Sequence, residues 1–169
     1  MTMSEITYLG SFDLTGDILR ISDPCYNDDI WRTKTVKAKP GKWHAYAKTG
    51  ERIERLFCLH KTDGYISEFC GDTFEVGVDS GQRGTFDEAH YKDDSVAVGQ
   101  ELVSEHSPID PDDPWYSLCC DKTLCEPMAG VIPFGVVSSS GYGDGCYNVR
   151  IKSVDGVCVG VEIVFIEDV

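Results

Sequence analysis

Two glycine-rich segments carry the most chemically suggestive side chains of this chain. Ser138-Ser139-Ser140-Gly141-Tyr142-Gly143-Asp144-Gly145-Cys146-Tyr147 alternates glycines with an aspartate and two tyrosines. Glycine takes positive φ without a Cβ penalty, so the backbone at Gly141, Gly143 and Gly145 can approach a ligand closely. Asp144 in such a turn can cap local amides or ligate a cation. Tyr142 and Tyr147 add aromatic surface to the loop. The second segment, Asp79-Ser80-Gly81-Gln82-Arg83-Gly84-Thr85-Phe86-Asp87, reads as a glycine-rich turn with an aspartate at each end. Together with Asp23 and Asp144, these two aspartates would make a four-carboxylate group if one end of a sheet gathered them. Such a group binds a hard divalent cation or raises the pKa of its members. Kept apart, each carboxylate caps its own turn.

Neither segment has the signature of a known nucleotide or calcium loop. No Gly-Lys-Ser/Thr and no helical pattern follow the first, as a phosphate-binding P-loop requires. The twelve-residue ligand spacing of an EF-hand is missing as well. Eight cysteines stand at 25, 58, 70, 119, 120, 125, 146 and 158. Cys119, Cys120 and Cys125 come nearest to a metal motif, but no Cys-x2-Cys or His-x3-His pair accompanies them. A zinc site would need Cys146 or a histidine brought in by the fold, and core or edge thiols are the simpler expectation. His44, His60, His90 and His106 are scattered, and no Gly-x-Ser-x-Gly nucleophile elbow is present. A triad assembled in space would leave no local trace, so no catalytic residue is assigned. No cofactor is predicted beyond the divalent cation that converging aspartates would hold. Lys39, Lys42, Trp43, His44, Tyr46 and Lys48 interleave basic and aromatic groups, as a nucleic-acid or acidic-partner surface does, and as a solvated strand face also does.

The elements that must position these groups are short strands. Ile6 to Leu9, Gly16 to Ser22, Thr33 to Ala38, Lys42 to Ala47, Ile53 to His60 and Thr73 to Asp79 alternate or run apolar over strand lengths. Phe74, Val76 and Val78 fall on one face. Asp23-Pro24 ends the second strand. Tyr147 to Ser153 and Val157 to Ile166 form a hairpin. A three-residue turn, Val154-Asp155-Gly156, would pair Ile151 with Val159, Val149 with Val161 and Tyr147 with Ile163, apolar against apolar. Residues 92–127 are acidic and contain Pro108, Pro111, Pro114 and Pro127. They read as an excursion from the sheet, a lid too polar for its own core, within a single domain over 1–169. Short helices are expected between Asp87 and Lys92, or around Trp115 to Cys120. The fold class is therefore all-β and mainly antiparallel, a β-sandwich or an open barrel.

Charge narrows the function. The 169 residues carry a formal net charge of −14, which argues against broad contact with a nucleic-acid backbone. Residues 31–61 hold nine Lys/Arg against two Asp/Glu, whereas residues 71–126 hold three against fourteen. The molecule is bipolar unless the fold interleaves the two stretches. No apolar run reaches the ~20 residues of a membrane helix. Met1-Thr2-Met3-Ser4-Glu5 has neither a basic n-region nor an apolar h-region, so the expected place is the cytoplasm, with reduced thiols.

Ile21-Ser22-Asp23-Pro24, Pro40-Gly41-Lys42-Trp43, Val78-Asp79-Ser80-Gly81 with Phe86-Asp87, and Ser140-Gly141-Tyr142-Gly143-Asp144-Gly145-Cys146-Tyr147 occur in that order. In this the chain resembles the bacterial domain-of-unknown-function family numbered 4241, outside 92–127. The resemblance implies a β-rich fold, implies that these aspartates and the Gly141–Tyr147 loop belong to one design, and implies no activity. The expected function is a non-enzymatic binding or accessory module, of phage or bacterial-conflict kind, whose acidic face docks a basic protein. Two alternatives stand beside it. One is a metal-dependent binding domain or hydrolase using the aspartates. The other is an acidic mimic that occupies a nucleic-acid-binding protein.

Overall fold

The computed structural model describes residues 4–25, 33–60, 73–78, 80–100, 102, 112–124 and 126–166. Within them lie β1 (Glu5–Leu14), β2 (Ile18–Ser22), β3 (Lys34–Lys37), β4 (Gly41–Thr49), β5 (Ile53–His60), β6 (Thr73–Val78) and β7 (Gln82–Asp87). The helix α1 (Pro114–Thr123) follows, then β8 (Ala129–Ile132), β9 (Gly135–Ser139), β10 (Gly145–Val154) and β11 (Val157–Val164). The strands make two antiparallel sheets, neither of them closed. Sheet 1 has the order β1-β4-β5-β11-β10-β6 and sheet 2 the order β3-β2-β7-β9-β8. Period-two alternation explains the inner face of sheet 1: Trp43, Ala45 and Ala47 of β4 are buried beside Leu56 and Cys58 of β5 and Val161 and Ile163 of β11. Leu19, Ile21, Ala129 and Val136 of sheet 2 complete the same core. No described helix is long and apolar enough to cross a membrane.

Three expectations need correction. Gln82–Asp87 is not part of a turn but the central strand of sheet 2, buried at all six positions. Its alternation is hidden because its core-facing residues are Arg83, Thr85 and Asp87. Arg83, with no exposed surface, lies where the sheets meet, and donates to the carbonyls of Gly77 at 2.6 Å and Ile21 at 2.7 Å. A buried cation is tolerated only when its donors are used. Gly84 faces the other way, and a Cβ there would strike the Val136 carbonyl and the Phe86 ring.

The hairpin has a two-residue turn rather than three. Asp155 and Gly156 both hold positive φ, 53° and 78°, as a type I′ Asp-Gly turn needs. The register then shifts by one between Lys152 and Ser153, which leaves Val159 as an extra residue on β11. That bulge brings Ile151 opposite Val161 and Val149 opposite Ile163. Apolar still meets apolar, through a different pairing.

The described part of 92–127 is no free lid either. Glu88–His90 and Asp94–Val96 form 3-10 turns, and α1 starts with Pro114 at its first turn. Trp115, Leu118 and Cys119 share one helix face and are buried against Phe86, Ile132 and Val137 on the outer face of sheet 2. The described part of the segment buries its apolar side chains against the sheet.

Candidate functional site

Asp23, residues 80–82 and one side of α1 meet at one end of sheet 2. Asp23 follows β2, is fully buried, and accepts from the Ser80 hydroxyl at 2.5 Å, the Ser80 amide at 2.7 Å and the Cys25 amide at 2.9 Å. Its carboxylate thus ties the end of β2 to the turn before β7. The Tyr91 hydroxyl donates to the Asp23 carbonyl, and the Arg20 guanidinium lies 4.1 Å from the Tyr91 ring centre. Tyr116 of α1 lies beside Ser80 and beside Cys120 one turn later. Gln82 Nε2 stands 3.3 Å from Cys120 Sγ. Lys92 donates to the Cys25 carbonyl and lies 5.8 Å from the Tyr116 ring centre. Four separate segments meet here, and the helix enters through Tyr116 and Cys120, which are spaced i, i+4.

The glycine loop adjoins this cluster. The Ser140 amide donates to the Gly81 carbonyl at 3.0 Å, so the two glycine-rich segments touch as neighbours. Inside the loop, the Tyr147 hydroxyl at 2.6 Å and the Ser140 hydroxyl at 2.8 Å both donate to the Gly143 carbonyl. Gly141, Gly143 and Gly145 all hold positive φ. At Gly141 a Cβ would also press on the Ile53 carbonyl and on Phe165, so only glycine fits. Tyr142 and Asp144 point outward and are exposed.

The aspartates do not gather as one group. Asp87 pairs with Leu19 at the start of β2, while Asp23 lies four residues further on, about 13 Å away at ~3.3 Å per strand residue. Asp87 accepts from the Thr15 amide and hydroxyl and caps the 3-10 turn through the Ala89 amide. Asp79 lies outside the described residues. Among the described residues no three His, Cys, Asp or Glu side chains are placed to share a metal ion.

The thiols are tuned toward the neutral form. Burial, a hydrogen bond to Asp23 and its charge push Cys25 up to about 12. Burial and the neighbouring Cys120 push Cys119 well above the usual thiol range, and burial raises Tyr116 as well. At neutral pH Cys25, Cys119 and Tyr116 therefore keep their protons. Cys25, Cys58, Cys119, Cys120, Cys146 and Cys158 are free thiols, and Cys125 lies outside the described residues. The described histidines lie elsewhere, and His106 lies outside the described residues. His60 contacts the Pro40 carbonyl, His44 bonds Tyr8, and His90 stacks on Phe134.

Sequence reasoning missed Tyr91, Lys92 and Tyr116. Only the i, i+3, i+4 spacing of Trp115, Leu118 and Cys119 signalled a docked helix, and with it the placement of Tyr116.

The helical cap over sheet 2 has a distinct charge layout. Residues 88–126 carry ten Asp/Glu and two Lys. Both lysines fold back: Lys92 onto Cys25, and Lys122 onto Asp121 at 3.6 Å with its methylenes against Gly130. Glu88, Asp94, Asp112 and Glu126 are exposed. Compared with known proteins, the chain matches no family model, no curated protein and no solved structure.

Proposed function

We propose that this chain is a binding module that docks a basic protein partner through its acidic cap. The observation that carries the reading is the cap's one-signed exposed charge: Glu88, Asp94, Asp112 and Glu126 face outward while Lys92 and Lys122 are turned inward. A one-signed surface steers an oppositely charged partner and rejects like-charged ones. The docking of the cap through Trp115 and Leu118 supports the same reading, because it holds those charges on a rigid face. The resemblance to family 4241 adds no activity to it.

The test is a titration of the isotope-labelled chain with an arginine- and lysine-rich peptide. Binding should perturb cap resonances and weaken steeply with salt. A variant carrying Asp112→Asn, Asp113→Asn and Glu126→Gln, which spares the capping residues Asp93 and Asp94, should bind more weakly with a shallower salt dependence. Unchanged affinity in that variant, or shifts confined to sheet 1, would sink the proposal.

A further inference from the structure

A cavity at the glycine-loop end is used by neither the cap nor the Asp23 cluster. Ser4 before β1, Gly50, Glu51 and Arg52 in the β4–β5 turn, Glu54 of β5, Tyr142 and Ile166 enclose about 470 Å³. Pockets that hold small ligands begin at roughly this size. Oε2 of Glu54 is buried there and accepts no hydrogen bond among the described residues. A buried carboxylate oxygen without a donor is costly, so its place calls for one. Gly50 opens the space beside it. A Cβ on Gly50 would stand 3.3 Å from Ser4 Oγ and 3.4 Å from Glu54 Oε2, so both oxygens face the gap that glycine leaves.

Arg52 does not fill this place. Its Nη1 donates to the Gly141 carbonyl at 3.3 Å, and its guanidinium lies 4.9 Å from the centre of the Tyr142 ring. The cation holds the loop and turns one face of Tyr142 into a wall, while the ring stays 72% exposed. Glu51 places a second carboxylate at the rim, and Ile166 supplies an apolar surface.

From this geometry we propose that the cavity binds a primary alkylammonium group. The ammonium donates to the Glu54 carboxylate and to Ser4 Oγ beside Gly50, and its methylene chain lies against Ile166 and Tyr142. The charge is the right sign, and three donors on a compact head suit separate single acceptors. An anion meets Glu51 and Glu54. The same head occurs on free alkylamines and on lysine side chains. The site stands apart from the acidic cap and does not depend on it.

The experiment titrates n-butylamine into the labelled full chain at pH 7 and constant ionic strength, with n-butanol as the uncharged control. The amine should give saturable shifts at Gly50, Arg52, Glu54 and Tyr142, and the alcohol none. Gly50→Ala, which fills the gap, and Glu54→Gln, which removes the charge, should each weaken the amine at least about tenfold, the equivalent of one charge-assisted hydrogen bond. Neither should lower the melting temperature, because neither removes a partner the folded chain uses. A second arm uses a lysine peptide and its Nζ-acetylated twin. Binding of the first alone makes a partner's lysine the source, and binding of n-butylamine alone makes it a free amine. The variant with the neutralised cap should bind n-butylamine as the wild type does, which separates this site from the cap. No saturable shift with n-butylamine, equal binding of n-butanol, or full affinity in both Gly50→Ala and Glu54→Gln would overturn the proposal.

Discussion

The two outer faces of the sandwich start from similar strands and end differently. On sheet 2, Phe86, Ile132 and Val137 form an apolar patch that Trp115, Leu118, Cys119 and Ala97 cover. On sheet 1, Phe57 and Leu59 make a smaller patch with Tyr46, which stacks on Phe57 at 5.5 Å and 15°. Around that patch sheet 1 becomes ionic. Glu162 is held by Arg55 at 3.1 Å and Arg150 at 3.7 Å. Towards β1 the face opens, with Ile6 52% and Tyr8 54% exposed. The contrast shows that an acidic segment covers a face by a few well-spaced apolar side chains, whatever its mean hydropathy. Charge is separated only in part: Lys42, Lys48 and Arg55 sit on sheet 1 and the acidic cap on sheet 2, but β3 with Lys34 and Lys37 joins sheet 2 and β6 with Glu75 joins sheet 1, so the fold interleaves the two charged stretches.

Trp115→Ala attacks the contrast hardest. Trp115 is 1% exposed and packs edge-on to both Phe86 and Tyr91. Truncation of a buried tryptophan costs about 3–5 kcal/mol, so the denaturant midpoint should fall well below that of the wild type. A loss under about 1 kcal/mol would mean that the cap adds little to sheet 2, and that the two faces are equally bare.

Glu162→Gln tests the other face. Its carboxylate is 5% exposed between two arginines. Replacing it removes the anion that lies between the two cations on sheet 1, at a cost of about 1–3 kcal/mol. The expected loss is smaller than for Trp115 because Arg150 is 35% exposed and water shares the load. Urea unfolding of both variants ranks the two, and the reverse order would invert the comparison.

Where the sequence could be read, period-two alternation was the reason. Ile53–His60 is found with the bounds its pattern suggests, and β4 and β6 follow theirs closely. Gln82–Asp87 could not be read, because Arg83, Thr85 and Asp87 break the apolar pattern on the core side while Gly84 breaks it on the other. The hairpin was legible as Asp-Gly, yet its bulge at Val159 was not, since apolar residues flank both registers. Among the site residues, Asp23 bonds Ser80 and Ser140, just before the glycine loop, bonds Gly81, so the two segments are neighbours in the fold. Asp87 does not join them, because the strand it terminates carries it to the far end. Tyr116 and Glu54 had no local signal at all, since their meaning comes from segments distant in sequence.

Alkaline pH probes the interior that both faces enclose. Burial raises Cys58 and Cys119 above the usual thiol value, and Cys158 to about 12. Unfolded thiols ionise near 9 while the folded ones keep their protons, so the folded state holds more protons above that pH. Stability is then complete below about pH 9 and falls as pH rises towards 12, by about 1.4 kcal/mol per pH unit for each such thiol. Thermal midpoints from pH 7 to 11 should be flat, then decline. Cys119→Ala should shallow the decline if the cap seals sheet 2, and an unchanged slope would mean that water reaches under the cap.

Tyr8→Ala is the mildest test and the sharpest for sheet 1. Tyr8 meets Tyr46 at 5.2 Å and hydrogen-bonds His44 at 2.8 Å, yet more than half of it is in solvent. Its ring therefore returns little hydrophobic free energy on folding, and an exposed hydrogen bond adds at most about 1 kcal/mol. A midpoint within about 0.5 kcal/mol of the wild type is expected. A loss as large as that of Trp115→Ala would mean that Tyr8 is covered in solution, and that the edge of sheet 1 is as closed as sheet 2.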